Sequence, residues 1–449
     1  MVIYSAYMFF GMSNIYFICL FAILLAFILS DRMFPIIIYT VRIKNLMDEP
    51  GDRSTHSLKT PTLGGVGVFA TFSVTVLLFG VFSGLQRPDL LKLMGIIGST
   101  TILLFLGVKD DLVALAPKKK MLGQIFSSAL VIFATDIRIN SFYSLFGIGE
   151  LPYFVSVLFS MLVFVFIINA FNLIDGIDGL SGVIAILAST IFGLFFLAND
   201  NILMVVVSAV LIGALLGFLK YNLSDSDSKK LFLGDSGSMF VGFLLAFQAI
   251  YLVQMNHWEG TSFVIPNVPV FIMAVLSYPI LDTLRVFIVR IRQKRSPFKA
   301  DRNHIHHRIL DLGLTHKQAT SCIAITNFII IIFTFLVGSL YINLQLYIVV
   351  VLVPLSYLVL YFVVKGSVRA VDDDDRQSRS GSIGSSNGVV NRQNKGYGQP
   401  ERSFRSDVGL DLEQPEIPAP KDKKRKVRNL VVSKFIAKSW EEIKKLAAF

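Results

Sequence analysis

Eleven nearly unbroken apolar stretches follow one another between residues 14 and 365, separated by short polar segments. They cover residues 14–31, 64–83, 94–108, 122–137, 152–168, 179–198, 202–220, 238–254, 264–290, 322–341 and 343–365. Each is long enough for one helical crossing of a hydrocarbon layer about 30 Å thick. The pattern predicts an all-α, polytopic membrane bundle of about eleven transmembrane helices, forming one transmembrane domain over residues 1–365. No positive segment precedes the first stretch and no small-residue cleavage pattern follows it, which predicts a retained helix and not a secretory signal.

Composition agrees with this picture: 54% of the 449 residues are hydrophobic and 16% are charged. Soluble chains carry nearer a quarter charged residues. Cys19 and Cys322 fall in or beside separate apolar stretches, which predicts packing roles and neither a disulfide framework nor a metal site.

Charge sets the expected orientation, because Lys and Arg are retained on the cytoplasmic side. With eleven crossings, one set of loops collects nineteen of them: Arg42, Lys44, Arg53 and Lys59, then Lys109 with Lys118 to Lys120, then Lys220, Lys229 and Lys230, then eight between Arg290 and Lys317. The opposite loops hold three: Arg87, Lys92 and Arg138. The N-terminus is therefore expected outside, and the tail beyond residue 365 inside. This one-sided excess accounts for much of the net charge of +11, so no nucleic-acid partner is implied.

The unusual polar motifs all fall on the basic side: THSLKTPTLGGVG (55–67), GVKDDLVALAPKKKMLGQ (107–124), IINAFNLIDGIDGLSG (167–182), KKLFLGDSGSMFVG (229–242) and KADRNHIHHRI (299–309). Any one could be a solvated loop. A lysine cluster can anchor a helix to lipid phosphates, and glycines can serve close packing. Five such loops on one side, with no comparable cluster opposite, argue for a shared site.

Ionised groups at membrane depth persist where they reach water, a metal or a ligand. Asn169, Asn172 and Asp175 recur every third residue along one helical arc, and Asp178 would fall on the opposite side if that helix continued. Gly176 and Gly179 are expected to break it and let the carboxylates converge. Several Asp with Lys, Arg and His suit a hard cation that shares phosphate oxygens. Glycines 234 and 237 would let backbone N–H groups at a helix start approach an anion. The chain has no GxxxxGK[ST] phosphate loop, and its histidine cluster lacks the cysteines and four evident ligands of a zinc centre. A transporter would place its polar site near the midplane between repeated halves, whereas these acids gather at one face.

Together these motifs resemble the polyprenyl-phosphate N-acetylhexosamine-1-phosphate transferases, over roughly residues 40–320, and HIHH resembles the WecA-like branch. The resemblance implies transfer of a sugar 1-phosphate, most simply GlcNAc-1-phosphate, from a UDP-sugar to undecaprenyl phosphate. UMP would leave, with Mg²⁺ or Mn²⁺ as cofactor, at the cytoplasmic face of a bacterial inner membrane, and the enzyme would be a homodimer. Carried over, it makes Asp235 a metal ligand with Asp175 beside it. Asp110, Asp111 and Asp178 become catalytic acids, with His306 and His307. Lys59, Lys118, Lys120, Asn169, Asn172, Arg302 and His304 would contact substrate. Another UDP-N-acetylhexosamine remains an open alternative donor.

Residues 366–420 are rich in Ser, Gly and charge and are expected to form a disordered linker; Asp372 to Asp375 within it read as solvated acids. Residues 421–449 place Leu430, Phe435, Trp440 and Ile443 among lysines, predicting a basic amphipathic helix that lies on an anionic leaflet or docks on a partner.

Overall fold

Every one of the eleven apolar stretches is helical in the computed structural model, which describes residues 15–44, 47–48, 60–294 and 304–384. In chain order the elements are α1 (Ile15–Ile43), β1 (Met47–Asp48), β2 (Thr60–Pro61), α2 (Gly64–Phe82), α3 (Arg87–Leu112), α4 (Pro117–Thr135), β3 (Ser141–Leu145), β4 (Ile148–Glu150), α5 (Tyr153–Ile174), α6 (Leu180–Ala198), α7 (Ile202–Asn222), α8 (Gly234–Met255), α9 (Val268–Val275), α10 (Ser277–Arg292), α11 (Ile305–Leu310), α12 (His316–Leu336) and α13 (Ile342–Gly384). The strands form two small antiparallel pairs, β1 with β2 and β3 with β4.

Among the described residues, nine helices are long and apolar enough to cross a membrane, and α9 with α10 makes a tenth span bent by 77°. The difference from eleven is α4. It has 19 residues, with Lys118, Lys119 and Lys120 in its first turn, where long basic side chains reach toward the headgroups. Its start meets the end of α5 through Lys120 and Asn172, and the chain after its end meets the start of α5 through Arg138 and Ser156, so it still runs across the bundle antiparallel to α5. Large side chains such as Phe105, Phe133 and Phe154 face outward, as a surface in contact with lipid requires and a water-exposed one rarely tolerates. The protein is a multi-pass, all-α membrane protein.

Local sequence explains where the helices start. Pro88 and Pro117 sit in the first turns of α3 and α4, where a missing N–H costs nothing. Thr315 and Gln318 form a reciprocal capping box on α12. At its other end the chain departs from expectation. Helix α13 runs on to Gly384, past residue 366 where the linker is expected to begin, since lengthening an existing helix needs no new nucleus; residues 385–420 of that expected linker lie outside the described residues. The expected amphipathic helix at 421–449 lies outside the described residues, as do Lys59 and Arg302.

The centre of the bundle is α8, whose most apolar 18-residue stretch is buried throughout. Its polar tie is Gln248, whose Oε1 accepts from Ser189 of α6 (3.0 Å) and Ser208 of α7 (2.9 Å). At its N-terminal end the backbone is held tightly. Phe232 N–H donates to Pro61 O (2.8 Å), while Gly64 and Gly65 donate to the carbonyls of Phe232 and Leu233 (2.9 and 2.8 Å). A Cβ on Gly65 would lie 2.1 Å from Gly237 N, and one on Gly107 would lie 2.3 Å from Ser236 Cα. The glycines of TPTLGG and of α3 thus let two helices touch the start of α8 at backbone distance.

Candidate active site

The first turn of α8 organises the acids. A helix start leaves unpaired N–H groups, and here Asp111, at the end of α3, takes two of them: Oδ1 from Asp235 N–H (2.7 Å) and Oδ2 from Ser236 N–H (3.1 Å). The Asp111 carboxylate thus ties the end of α3 to the first turn of α8, at the N–H groups beside glycines 234 and 237. Its neighbour Asp110 accepts from Leu115 N–H (2.6 Å) and pairs with Lys120 (2.8 Å). Lys120 Nζ also reaches Asp235 Oδ1 (2.9 Å) and Asn172 Oδ1 (3.3 Å). Asn172 in turn donates to Asp235 and to Ser238 Oγ. Lys120 is thus the bridging cation, whereas Lys118, on the same turn, is exposed.

Helix α5 ends at Ile174, and Gly179, at φ 80°, opens α6 in a conformation that side-chain-bearing residues rarely adopt. The predicted break is there. The two carboxylates beside it take different partners. Asp175 accepts a hydrogen bond from Ser181 Oγ, and its carboxyl is pushed well above the usual carboxylate range, first by burial and then by the charges of Asp235, Asp111 and Asp178. Asp178 faces another way. Its Oδ2 lies 2.7 Å from Lys230 and 3.1 Å from His316, and Thr320 Oγ1 donates to its carbonyl (2.9 Å). Burial would raise Asp178, but the hydrogen bonds from His316 and Lys230 outweigh it and hold the carboxyl below its ordinary value.

A pH prediction follows from the sign of that shift. A depressed folded-state value contributes stability above the unfolded carboxylate's value of about 3.9, lost as pH falls through the folded value. The variant Asp178→Asn is expected to melt below wild type at pH 7, with the gap closing below about pH 4. Thermal melts of both proteins across that range would check it; a gap that widens on acidification contradicts the ion pairing.

Asn169, expected among the substrate contacts, lies further up α5. It pairs with Gln124 of α4, donating to Oε1 (2.7 Å), and so joins two helices.

The histidine segment sits beside the α5–α6 turn. His304 Nδ1 lies 2.8 Å from Asp282 Oδ2, and His306 Nδ1 lies 3.2 Å from Tyr278 OH. A Cβ on Gly176 would meet His306 Nε2 at 2.6 Å, so this glycine makes room for the ring. Burial pushes the His306 imidazole down to about 3, although Asp282 opposes the shift. His306 is therefore neutral near pH 7, and the His307 ring lies 4.4 Å from it, centroid to centroid.

Comparison with known proteins places this arrangement. Residues 93–253 match the family described as glycosyl transferase family 4. A decaprenyl-phosphate N-acetylglucosaminephosphotransferase of Mycolicibacterium smegmatis is 30% identical over 286 residues, 60% of this chain and 70% of the relative. The chain belongs to glycosyl transferase family 4. It is also 29% identical over 343 residues, 74% of its length and 89% of the relative's, to a probable undecaprenyl-phosphate N-acetylglucosaminyl 1-phosphate transferase of Bacillus subtilis. An undecaprenyl-phosphate alpha-N-acetylglucosaminyl 1-phosphate transferase of Salmonella typhi matches at 29% over 303 residues, 66% of this chain and 78% of the relative.

The segment matched to the family holds Asp110, Asp111, Asp175, Asp178 and Asp235 with Lys120 and Asn172, while the histidine segment lies beyond it. Three partners of the site are additions to the sequence reading: Lys230, His316 and Asp282. Asp282 had a visible signal, as the one acidic residue within the apolar stretch 264–290. His316 had none, since its pairing with Asp178 depends on how α12 packs.

Proposed function

We propose that this family member transfers N-acetylglucosamine 1-phosphate from UDP-GlcNAc to undecaprenyl phosphate at the cytoplasmic face of a bacterial inner membrane, releasing UMP. The reading is supported by what the named relatives transfer, and by the nineteen-to-three charge asymmetry, which favours the basic loops inside. The observation that carries it is the Lys120 bridge between Asp110 and Asp235, at helix ends crowded with carboxylates.

In the net reaction one phosphoanhydride replaces another. The sugar-bearing phosphorus forms a bond to an oxygen of the lipid phosphate and loses its bond to the oxygen that departs on UMP. Both partners are anionic, so the site must hold two phosphates together. In this reading Lys120 offsets phosphate charge and Asn172 orients Asp235. Asp111 holds the α8 N-terminus in place, and the histidine segment lies against the nucleotide or sugar.

The donor set also fits a divalent cation. Asp235 and Asp175 offer hard oxygen ligands, and a carboxylate as buried and crowded as Asp175 is relieved by a nearby positive charge. Mg²⁺ or Mn²⁺ held there would screen the diphosphate and stabilise charge on departing UMP.

The test is UMP release by purified protein given undecaprenyl phosphate and UDP-GlcNAc. Release is expected to require the lipid, to stop with EDTA and to return with Mg²⁺ or Mn²⁺. Release with UDP-GalNAc in place of UDP-GlcNAc would keep the reaction and replace the donor. No release with any UDP-N-acetylhexosamine, from folded protein, would overturn the proposal.

A further inference from the structure

Asp282 is fully buried on α10. A carboxylate at membrane depth is costly unless something specific needs it, and both of its oxygens are turned to the histidine segment. Oδ2 meets His304 Nδ1 at 2.8 Å, and Oδ1 accepts from Ile305 N–H at 2.9 Å. Helix α11 has six residues, too few to be stable alone, and the side chain of His304 at its N-cap makes no cap bond. Asp282 supplies that cap from another helix. One turn earlier on the same face, Tyr278 reaches His306.

The mount for these groups is rigid. Asn327 of α12 accepts from Ser277 Oγ (2.7 Å) and donates to Val275 O (3.0 Å), clasping both sides of the break between α9 and α10. Its Oδ1 also lies 3.3 Å from Tyr357 OH. The direction of α10, and with it the place of Asp282, is thereby set by the bundle.

We propose that Asp282 is the positioning residue of the histidine segment: its carboxylate takes the Nδ1–H of His304 and so sets the tautomer and direction of the ring, while its other oxygen fixes Ile305. Which imidazole nitrogen carries the proton is set by the bond the other nitrogen makes, and a carboxylate behind a histidine sets both tautomer and ring orientation. The histidines themselves would touch substrate; Asp282 acts through them. The kinetic part of this inference rests on the transferase reading above, and the tautomer does not.

The test uses full-length protein labelled with ¹⁵N-histidine. The chain has six histidines, and the His304 signals are assigned with His304→Gln, whose amide can still donate to Asp282. Wild-type His304 is expected to carry its proton on Nδ1, and Asp282→Asn, whose amide can donate where the carboxylate accepted, to shift it toward Nε2. The same variant is expected to lose about 10- to 100-fold in kcat, with KM for the UDP-sugar changed less than about threefold and far-ultraviolet circular dichroism retained. A wild-type ring protonated on Nε2 overturns the proposal, and needs no variant at position 282. So does an unchanged kcat in Asp282→Asn.

A metal centre is the competing explanation, since Asp282, His304 and His306 present ligand atoms within 4.8 Å of one another. Metal analysis of the purified protein decides it: a stoichiometric ion that is lost with Asp282→Asn makes the carboxylate a ligand and sinks the positioning role. If no UDP-sugar is turned over at all, the transferase reading falls, and the inference is judged by the ¹⁵N spectrum alone.

Discussion

Asparagine in place of Asp235 is expected to lower UMP release by about a thousandfold, the upper end of what one electrostatic group in a preorganised site supplies. Three observations single out this carboxylate. It is the meeting point of Lys120 from α4, Asn172 from α5 and the first turn of α8. Its backbone is pinned by Asp111, so its direction is set before any substrate arrives. Its side chain is 32% exposed, against 10% for both Asp110 and Asp178, so it is more open than either to an incoming ion or phosphate.

The asparagine variant keeps an oxygen for Lys120 and Asn172 but loses the charge, so the fold should survive. Its melting temperature is expected within a few degrees of wild type, and the loss is expected in kcat. An Asp235→Asn protein retaining a tenth of wild-type turnover would remove Asp235 from the centre of the site. A protein that loses activity only by unfolding would move Asp235 from chemistry to structure.

Much of this arrangement could be read in the sequence because it is written locally. The break after Ile174 follows from two glycines after a long apolar run, and the gathering of polar motifs at one face follows from which loops carry lysine and arginine. What the sequence could not specify depends on partners far away along the chain. Asp111 and the Asp235 N–H are separated by 124 positions, and nothing near either residue says that a carboxylate will cap that helix. Nothing near Asp178 says that Lys230 and His316, brought in by the α7–α8 loop and α12, will pair with it. The bend between α9 and α10 was partly legible, since Pro279 in the first turn of α10 cannot donate a backbone hydrogen bond. The stretch 264–290 nonetheless reads as one continuous helix by hydropathy alone.

The second large effect is expected at a residue with no functional group. At Gly107 a methyl would come within 2.3 Å of Ser236 Cα, 2.6 Å of Ser236 N and 2.9 Å of Asp235 C. All three are backbone atoms at the start of the most buried helix, so no side chain can swing aside. Gly107→Ala must push α3 and α8 apart. Asp111, one turn further along α3, would lose its reach to the Asp235 and Ser236 N–H groups, and Asp235 would shift from Lys120. Overpacking of this kind costs about 1–3 kcal/mol. A displacement of about 1 Å at reacting groups can cost roughly a hundredfold in rate. Turnover is therefore expected to fall about a hundredfold, with a lowered melting temperature. Gly98 gives the control on the same helix: a methyl there meets a Leu130 side-chain carbon at 3.4 Å, an ordinary contact. Gly98→Ala is expected to keep wild-type turnover and to melt at or slightly above wild type, because alanine favours the helix. Equal losses in the two variants would mean that α3 tolerates no alanine for reasons unrelated to α8. Wild-type behaviour in Gly107→Ala would mean that the two helices are not in backbone contact there, and that Asp235 is not held by α3.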